Sequence, residues 1–92
     1  MAQVTVRLPP VLAQLVACER NVAVRGATVG EALRDLVERE PGLALHLFDE
    51  RGALRRLVLC FCNGEDVRAT GGLDHALAPG DALTLVNSVA GG

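Results

Sequence analysis

Cys60 and Cys62 are the two residues whose type and spacing come nearest to a redox or metal motif. Alternate residues of a strand share a face, so both sulfurs would point the same way with their Cα atoms roughly 6.5–7 Å apart. That separation strains a disulfide. Cys18 adds a third sulfur, but zinc knuckles use a C-x-x-C spacing, and an iron–sulfur cluster normally takes four cysteines. We therefore interpret all three as small buried hydrophobic residues.

Asp74, His75 and Ser88 have the residue types of a hydrolytic triad. No nucleophile-elbow pattern surrounds any serine, so we do not expect a triad here. His46 lies in an apolar segment and is predicted to be a partly buried structural histidine. The pair Gly71-Gly72 lacks the flanks of a phosphate-binding loop and is predicted to be a turn.

Arg55, Arg56 and Arg68 are expected to cluster across a hairpin. A solvated face and a docking patch for an acidic partner both remain open as interpretations of this cluster. All nine basic residues are arginine, and the absence of lysine excludes a P-loop or a pyridoxal-phosphate Schiff base on this chain. The net charge of -2 argues against a nucleic-acid surface.

The end of the sequence is uncharged and finishes in two glycines. No charged side chain occurs from residue 82 onward, and the last two residues are Gly91-Gly92. Glycine lacks a Cβ, so such an end can enter a narrow channel and adopt any φ that an enzyme requires. We expect a reactive terminal carboxylate that a partner enzyme activates as an acyl adenylate. A frayed end or an expression remnant is the alternative.

Several elements must position these residues. Period-two alternation predicts four strands and a brief return after the hairpin signal Asn63-Gly64. The predicted segments are Gln3–Leu8, Asn21–Arg25, Leu54–Cys62, residues 65–68 and Ala82–Val86. The third has apolar residues on both faces, which indicates an interior strand or one covered on both sides.

The clearest helix begins at a capping box formed by Thr28 and Glu31 and ends at Pro41-Gly42. Residues 43–48 predict a short helical segment, while residues 11–19 are compatible with a helical turn or a wide loop. One amphipathic helix against a mixed sheet of roughly four to five strands is an α+β roll.

The length of 92 residues allows one domain with a single core, here residues 1–92 with 87–92 as a flexible C-terminal tail. The first residues lack the plan of a signal peptide, and no apolar run approaches membrane-spanning length. Three cysteines without a secretory signal favour the cytoplasm.

The whole chain resembles the ThiS/MoaD family of sulfur carriers, which have the ubiquitin-like β-grasp fold, and within it the CysO group most closely. The resemblance rests on five stretches of this sequence. They are Val4-Thr5-Val6, Asn63 to Arg68, Gly71-Gly72-Leu73, Pro79 to Thr84, and Val89-Ala90-Gly91-Gly92.

The resemblance implies a mechanism in which this chain is a protein co-substrate and binds no cofactor itself. An E1-like enzyme would adenylate the Gly92 carboxylate with ATP, and sulfur would replace AMP to leave a thiocarboxylate. Gly91 would allow the end of the chain to enter the active site of that enzyme. In a CysO-type pathway, a pyridoxal-phosphate-dependent cysteine synthase would accept the sulfur, and a zinc metalloprotease would release the product. Molybdopterin, thiamin or natural-product synthesis are alternative clients, and a ubiquitin-like binding module with an inert end is the alternative class.

The fold that the resemblance implies leaves one apolar sheet face uncovered by the helix. We expect this face to contact partners through Phe61, with Leu57 and Leu59 on the same side of the strand, and through Val89 and Ala90 beyond it. A second core on this face is the alternative interpretation.

Overall fold

Five strands form one mixed sheet in a computed structural model of the protein, which describes residues 2–87. The strands are β1 (Gln3–Arg7), β2 (Asn21–Arg25), β3 (Val58–Cys62), β4 (Glu65–Asp66) and β5 (Ala82–Asn87). Their order across the sheet is β2-β1-β5-β3-β4. The two central strands, β1 and β5, run parallel, and the other neighbouring pairs are antiparallel. The predicted α+β roll with a mixed sheet is confirmed.

The predicted main helix is α2 (Val29–Arg39), and its start is built by the capping box. The hydroxyl of Thr28 accepts a hydrogen bond from the Glu31 amide at 3.2 Å, and the Glu31 carboxylate accepts one from the Ala27 amide at 3.0 Å. These bonds satisfy amides that a helix start otherwise leaves without partners. On the outer face, Arg39 Nε donates to Asp35 Oδ2 at 2.9 Å, as the i,i+4 spacing predicts.

Helix α2 packs against one face of the sheet, and aliphatic residues of both make the core. The backbone approaches α2 closely where β2 ends, because a Cβ on Gly26 would lie 2.4 Å from the Ala32 amide nitrogen. The fully buried core members with the largest side chains are Leu8, Leu12, Leu33, Leu36, Leu43, Leu47, Leu83, Leu85, Val4, Val6, Val24 and Val29.

Two further helices are short. Residues 11–19, for which the sequence left a helix or a loop open, include α1 (Pro10–Leu15). The short helical segment predicted over residues 43–48 is present as a 3-10 turn, Pro41–Leu43, that continues into α3 (Ala44–Leu47). Within residues 2–87, none of the helices combines the length and the apolar character needed to cross a membrane.

The prediction of a strand from Leu54 to Cys62 was too long at its start. Leu54 forms only an isolated bridge with Phe48, and the amide of Val58 donates to the Arg55 carbonyl at 2.9 Å. That bond closes a turn, so the strand β3 begins at Val58. The hairpin signal itself was read correctly, because Asn63 and Gly64 have φ of 51° and 88° as a type I′ turn requires.

Strand β5 extends one residue past its predicted end at Val86. Asn87 pairs with Val58 of β3, so it belongs to the sheet and not to a tail beginning at residue 87. Leu83 and Leu85 of β5 are buried in the core. The last described residues, 85–87, are therefore held in the sheet by pairing with β3.

Candidate functional site

The predicted attachment residues Gly91 and Gly92, and the predicted contact residues Val89 and Ala90, lie outside the described residues. The structure does define the strand that leads to them. β5 lies in the middle of the sheet, with β1 on one side and β3 on the other.

Phe61 lies on the face of the sheet opposite α2. Within β3, the residues Val58, Cys60 and Cys62 are buried in the core, whereas Leu59 and Phe61 are only half-buried. Such alternation places the latter two on the opposite face of the pleat. The same alternation in β5 puts Ala82, Thr84 and Val86 on this open face.

The register joins the two strands into one apolar patch. Leu59 lies opposite Val86, and Phe61 lies opposite Thr84. We call Leu59, Phe61 and Val86 the apolar patch. Val86 is 39% exposed, so the patch presents apolar surface to solvent. The patch thus ends one residue before the last described residue.

Leu57 does not share the strand with Phe61, contrary to the prediction. It lies in the turn before β3 and is 41% exposed. The alternative of a second core on the open face is disfavoured, because Val86 is accessible and Leu59 and Phe61 are only half-buried. A core would have hidden these side chains as fully as those beneath α2.

An ion pair borders the patch at the sheet edge. Asp66 lies opposite Phe61, and its Oδ2 atom is 2.8 Å from Nη2 of Arg68. The Asp66 carboxylate also accepts a hydrogen bond from the Arg68 amide at 2.9 Å. These side-chain and backbone hydrogen bonds lower the pKa of Asp66 and hold it charged. The rim of the patch is thus polar, as at many protein interfaces.

The cysteines of β3 pack as small hydrophobic residues, as predicted. Cys60 is 2% and Cys62 is 6% exposed. Burial raises the pKa of the Cys60 thiol to about 12, and burial with the nearby Asp81 carboxylate raises the pKa of Cys62. Both thiols therefore stay protonated at neutral pH and are poor nucleophiles.

Cys18 departs from the prediction that all three cysteines are buried. It is only half-buried because it follows a tight surface turn in which Ala17 adopts a φ of 55°. Burial raises the pKa of the Cys18 thiol, and the Glu40 and Glu19 carboxylates add to this increase. Within residues 2–87, no group of three or more His, Cys, Asp or Glu side chains is arranged to hold a metal ion.

The two histidines have no catalytic surroundings in the described part of the chain. His46 is exposed and not partly buried as predicted, because Leu43 and Leu47 take the inward positions of this short helical segment. His75 is half-buried, and its Nδ1 atom lies 3.2 Å from the Thr70 carbonyl oxygen. Ser88, the third residue type of a triad, lies outside the described residues.

Gly71 and Gly72 form a turn, as predicted. Their φ values are 122° and 62°, a backbone region that favours glycine. The amides of Asp74 and His75 donate back to the Gly71 and Gly72 carbonyls at 3.1 Å each. The backbone of this segment is thus occupied by its own hydrogen bonds.

Arg55, Arg56 and Arg68 do come together. All three line one surface groove of about 370 Å³, beside the start of β3. The sequence therefore located this cluster correctly, although its two interpretations could not be separated by residue type alone.

Comparison with known proteins gives a consistent result. The sequence profile of the ThiS family matches residues 6–92. Sulfur carrier protein CysO of Mycobacterium tuberculosis is 38% identical over 91 residues, which is 97% of this chain and 98% of that protein. The crystal structure of the Amycolatopsis orientalis BexX/CysO complex contains a chain with a TM-score of 0.86 and 39% identity, covering 97% of this chain and 99% of that one. The crystal structure of small archaeal modifier protein 1 from Haloferax volcanii has a TM-score of 0.85 and 34% identity, and the match covers 99% of this chain and 100% of that one.

The fold and these similarities define a ubiquitin-like β-grasp protein. The chain belongs to the ThiS family. It is a sulfur carrier of the CysO type, a protein co-substrate and not itself an enzyme.

One feature of the open face was missed from the sequence. Val86 and Thr84 lie beside Leu59 and Phe61, and neither was named as a contact residue. Their alternation with the buried residues Leu83 and Leu85 would have placed them on the outer face. Their position beside β3 could not be read from alternation, because it depends on which strands pair.

Proposed function

We propose that the chain carries sulfur as a thiocarboxylate on Gly92 and delivers it to a partner enzyme of cysteine biosynthesis. The observation that carries this proposal is the similarity over 97% of the chain to sulfur carrier protein CysO.

The activation step takes place on an E1-like enzyme. A carboxylate oxygen of Gly92 attacks the α-phosphorus of ATP, and pyrophosphate leaves. Hydrosulfide attacks the carbonyl carbon of the resulting acyl adenylate, its proton is lost to solvent, and AMP leaves with the electron pair of the broken C–O bond. The product is a thiocarboxylate. Gly91 allows the backbone to follow a narrow channel, because it has no Cβ.

The two buried thiols of β3 are poorly placed to carry sulfur, which agrees with a carrier whose sulfur is bound at the C terminus. Cys60 and Cys62 are inaccessible and protonated at neutral pH, so neither is suited to accept sulfur as a persulfide. The three free cysteines also agree with our proposal that the protein works in the cytoplasm.

Partners are proposed to dock on the apolar patch and on Val89 and Ala90. The patch offers an aromatic and two aliphatic side chains at the sheet centre, with the ion pair of Asp66 and Arg68 at its rim. An aromatic residue surrounded by such a polar rim is typical of interface centres. The known complex of an Amycolatopsis orientalis CysO with BexX supports a role that depends on binding a partner protein.

The proposed client is a pyridoxal-phosphate-dependent cysteine synthase that uses O-phosphoserine, followed by a zinc metalloprotease that releases cysteine from Gly92. ATP is consumed by the activating enzyme. Molybdopterin, thiamin and sulfur-containing natural products are the alternative clients for the same carrier chemistry. To test the client, the chemically prepared thiocarboxylate is incubated with the synthase and O-phosphoserine, and the mass of the carrier is followed. A gain corresponding to a cysteine adduct supports the cysteine pathway, and an unchanged thiocarboxylate excludes it.

A binding module with an inert C terminus is the alternative function class. The two classes differ in what happens when Gly91 and Gly92 are deleted. For the carrier, pyrophosphate release by an E1-like enzyme of the same organism should depend on the full-length chain and disappear with the truncated one. For a binding module, neither chain supports pyrophosphate release, and both bind the partner equally.

A further inference from the structure

The groove that contains the three arginines has an apolar floor and a cationic rim. Five floor residues are apolar or sulfur-containing, and we call the whole site the arginine groove. The floor is formed by Leu54, Val58, Cys60, Val67 and Leu73, and the rim by Arg55, Arg56 and Arg68. No acidic side chain is among the described residues that line it.

Two of the rim arginines are held in place. Arg55 Nε donates to the Leu45 carbonyl at 2.6 Å, and Arg68 is paired with Asp66 through contacts of 2.8–3.2 Å. The nearby Asp49 carboxylate faces its own loop, where it accepts hydrogen bonds from the Arg51 and Ala53 amides. The charge of Arg68 is thus balanced by Asp66, whereas Arg55 and Arg56 give the rim its surplus positive charge.

The position of the groove links it to the end of the chain. Val58 is a floor residue, and in the sheet it lies directly opposite Asn87. Both residues are on the face that carries the core, as the alternation with Cys60 and Leu85 shows. The groove therefore opens where β5 ends, on the face opposite the apolar patch.

We propose that the arginine groove is a docking site for an acidic segment of the enzyme that activates the C terminus. This inference rests on the proposed function, because it places the docked enzyme at the end of β5, the strand that leads to Gly92. Carboxylates of the segment would pair with Arg55 and Arg56, and an aliphatic side chain beside them would enter the apolar floor. Guanidinium groups suit this task because they form bidentate pairs with carboxylates. The apolar patch and the arginine groove would then contact the enzyme from the two faces of the sheet.

The test compares the Arg55→Gln/Arg56→Gln variant with Arg34→Gln/Arg51→Gln, which removes the same charge from exposed positions elsewhere. Binding to the E1-like enzyme of the same organism is measured by calorimetry at low and moderate salt, and thiocarboxylate formation is measured at varied carrier concentration. We expect the groove variant to bind about tenfold more weakly at low salt, with a smaller salt dependence and a higher KM at unchanged kcat. The control variant should match the wild type.

Three results would overturn the proposal. Wild-type affinity and salt dependence in the groove variant would show that the arginines form only a solvated face. An equal loss in both variants would indicate a general charge effect. A wild-type dimer in sedimentation that the groove variant abolishes would assign the groove to a second copy of the chain.

If the wild type is converted to thiocarboxylate and the groove variant has an unchanged KM, only this inference fails. If the wild type is not converted at all, the proposed function fails with it.

Discussion

Asn63 and Asp81 connect the tip of the β3–β4 hairpin to the start of β5. The amide Nδ2 of Asn63 donates to Oδ1 of Asp81 at 3.0 Å, and Oδ1 of Asn63 accepts a hydrogen bond from the Ala82 amide at 3.0 Å. The backbone amide of Asn63 donates in turn to the Ala82 carbonyl at 2.9 Å. These bonds help to fix the register in which Leu59 faces Val86, and thus the shape of the apolar patch.

Substitutions at Asn63 should separate the contribution of its side-chain hydrogen bonds from that of its positive φ. Asn63→Gly retains the positive φ of 51° but loses the side-chain hydrogen bonds, so we expect a destabilisation of about 1 kcal/mol. Asn63→Ala should cost more, by a further 1 kcal/mol or so, because alanine is strained at this φ. Urea unfolding of both variants measures the two effects. Equal stability of the glycine variant and the wild type would show that the link to Asp81 contributes nothing.

Asp81 should make the protein sensitive to acid. The Ala78 amide, followed by the Asn63 side chain, stabilises the charged carboxylate and lowers the pKa of Asp81. A carboxylate with a lowered folded-state pKa stabilises the fold above its unfolded pKa of about 3.9, and this contribution is lost as the pH falls through the folded value. We therefore expect Asp81→Asn to reduce stability at pH 7 and to lessen the stability that is lost on acidification.

The measurement is the urea midpoint as a function of pH from neutrality to about pH 2. Asp74→Asn serves as the control because it neutralises another exposed carboxylate. Lowered pKa values at Asp35, Asp49 and Asp66 leave a residual acid sensitivity in both variants. A pH profile of Asp81→Asn that parallels the wild type would refute a role for this carboxylate.

Phe61→Ala should weaken partner binding and spare the fold. The side chain is half-buried on the open face, so its loss removes contact area from an interface and little from the core. If Phe61 is an interface centre, its truncation should cost about 2 kcal/mol of binding, or some thirtyfold in Kd. Val11→Ala is a matched control, since Val11 is 60% exposed on α1. A large drop in Tm with unchanged Kd would instead assign Phe61 to the stability of the sheet.

The thiols should react in an order that follows their exposure. The pKa values of all three thiols are raised, but Cys18 is only half-buried whereas Cys60 and Cys62 are buried. A disulfide reagent such as dithionitrobenzoate should therefore modify one thiol of the native protein readily and three after unfolding. Peptide mapping should identify Cys18 as the first site. Rapid native modification of Cys60 would contradict its buried position.

The elements with strong local signals were predicted well. The capping box at Thr28 and the paired positive φ values at Asn63 and Gly64 depend on residues adjacent in sequence, so the sequence contains the whole interaction. The β2 strand was predicted with its correct bounds, because its alternation is bounded by turn residues. The similarity to the ThiS family adds the order of strands, which alternation alone does not determine.

The predictions were wrong where contacts with distant parts of the chain determine the local structure or the burial of a residue. The apolar residues at 54 and 57 looked like strand, yet the Arg55 amide donates to the Leu47 carbonyl at 2.8 Å and holds this segment as a turn. His46 and Cys18 were predicted to be buried because their neighbours in sequence are apolar. Whether each side chain faces the core or the solvent is determined by the packing of the whole chain. Likewise, alternation can place Phe61 and Val86 each on an outer face, but it cannot show that their strands are neighbours, because this depends on the β3–β5 pairing.

The intact mass of the protein shows whether Gly92 is converted to a thiocarboxylate. The full-length chain is incubated with ATP, sulfide and an E1-like enzyme from the same organism, and a chain that lacks Gly92 is treated in parallel. We expect a gain equal to the exchange of one oxygen for one sulfur in the full-length chain, and no gain in the truncated one. An unchanged mass with an enzyme shown to be competent on another carrier, or an equal gain without Gly92, would contradict it.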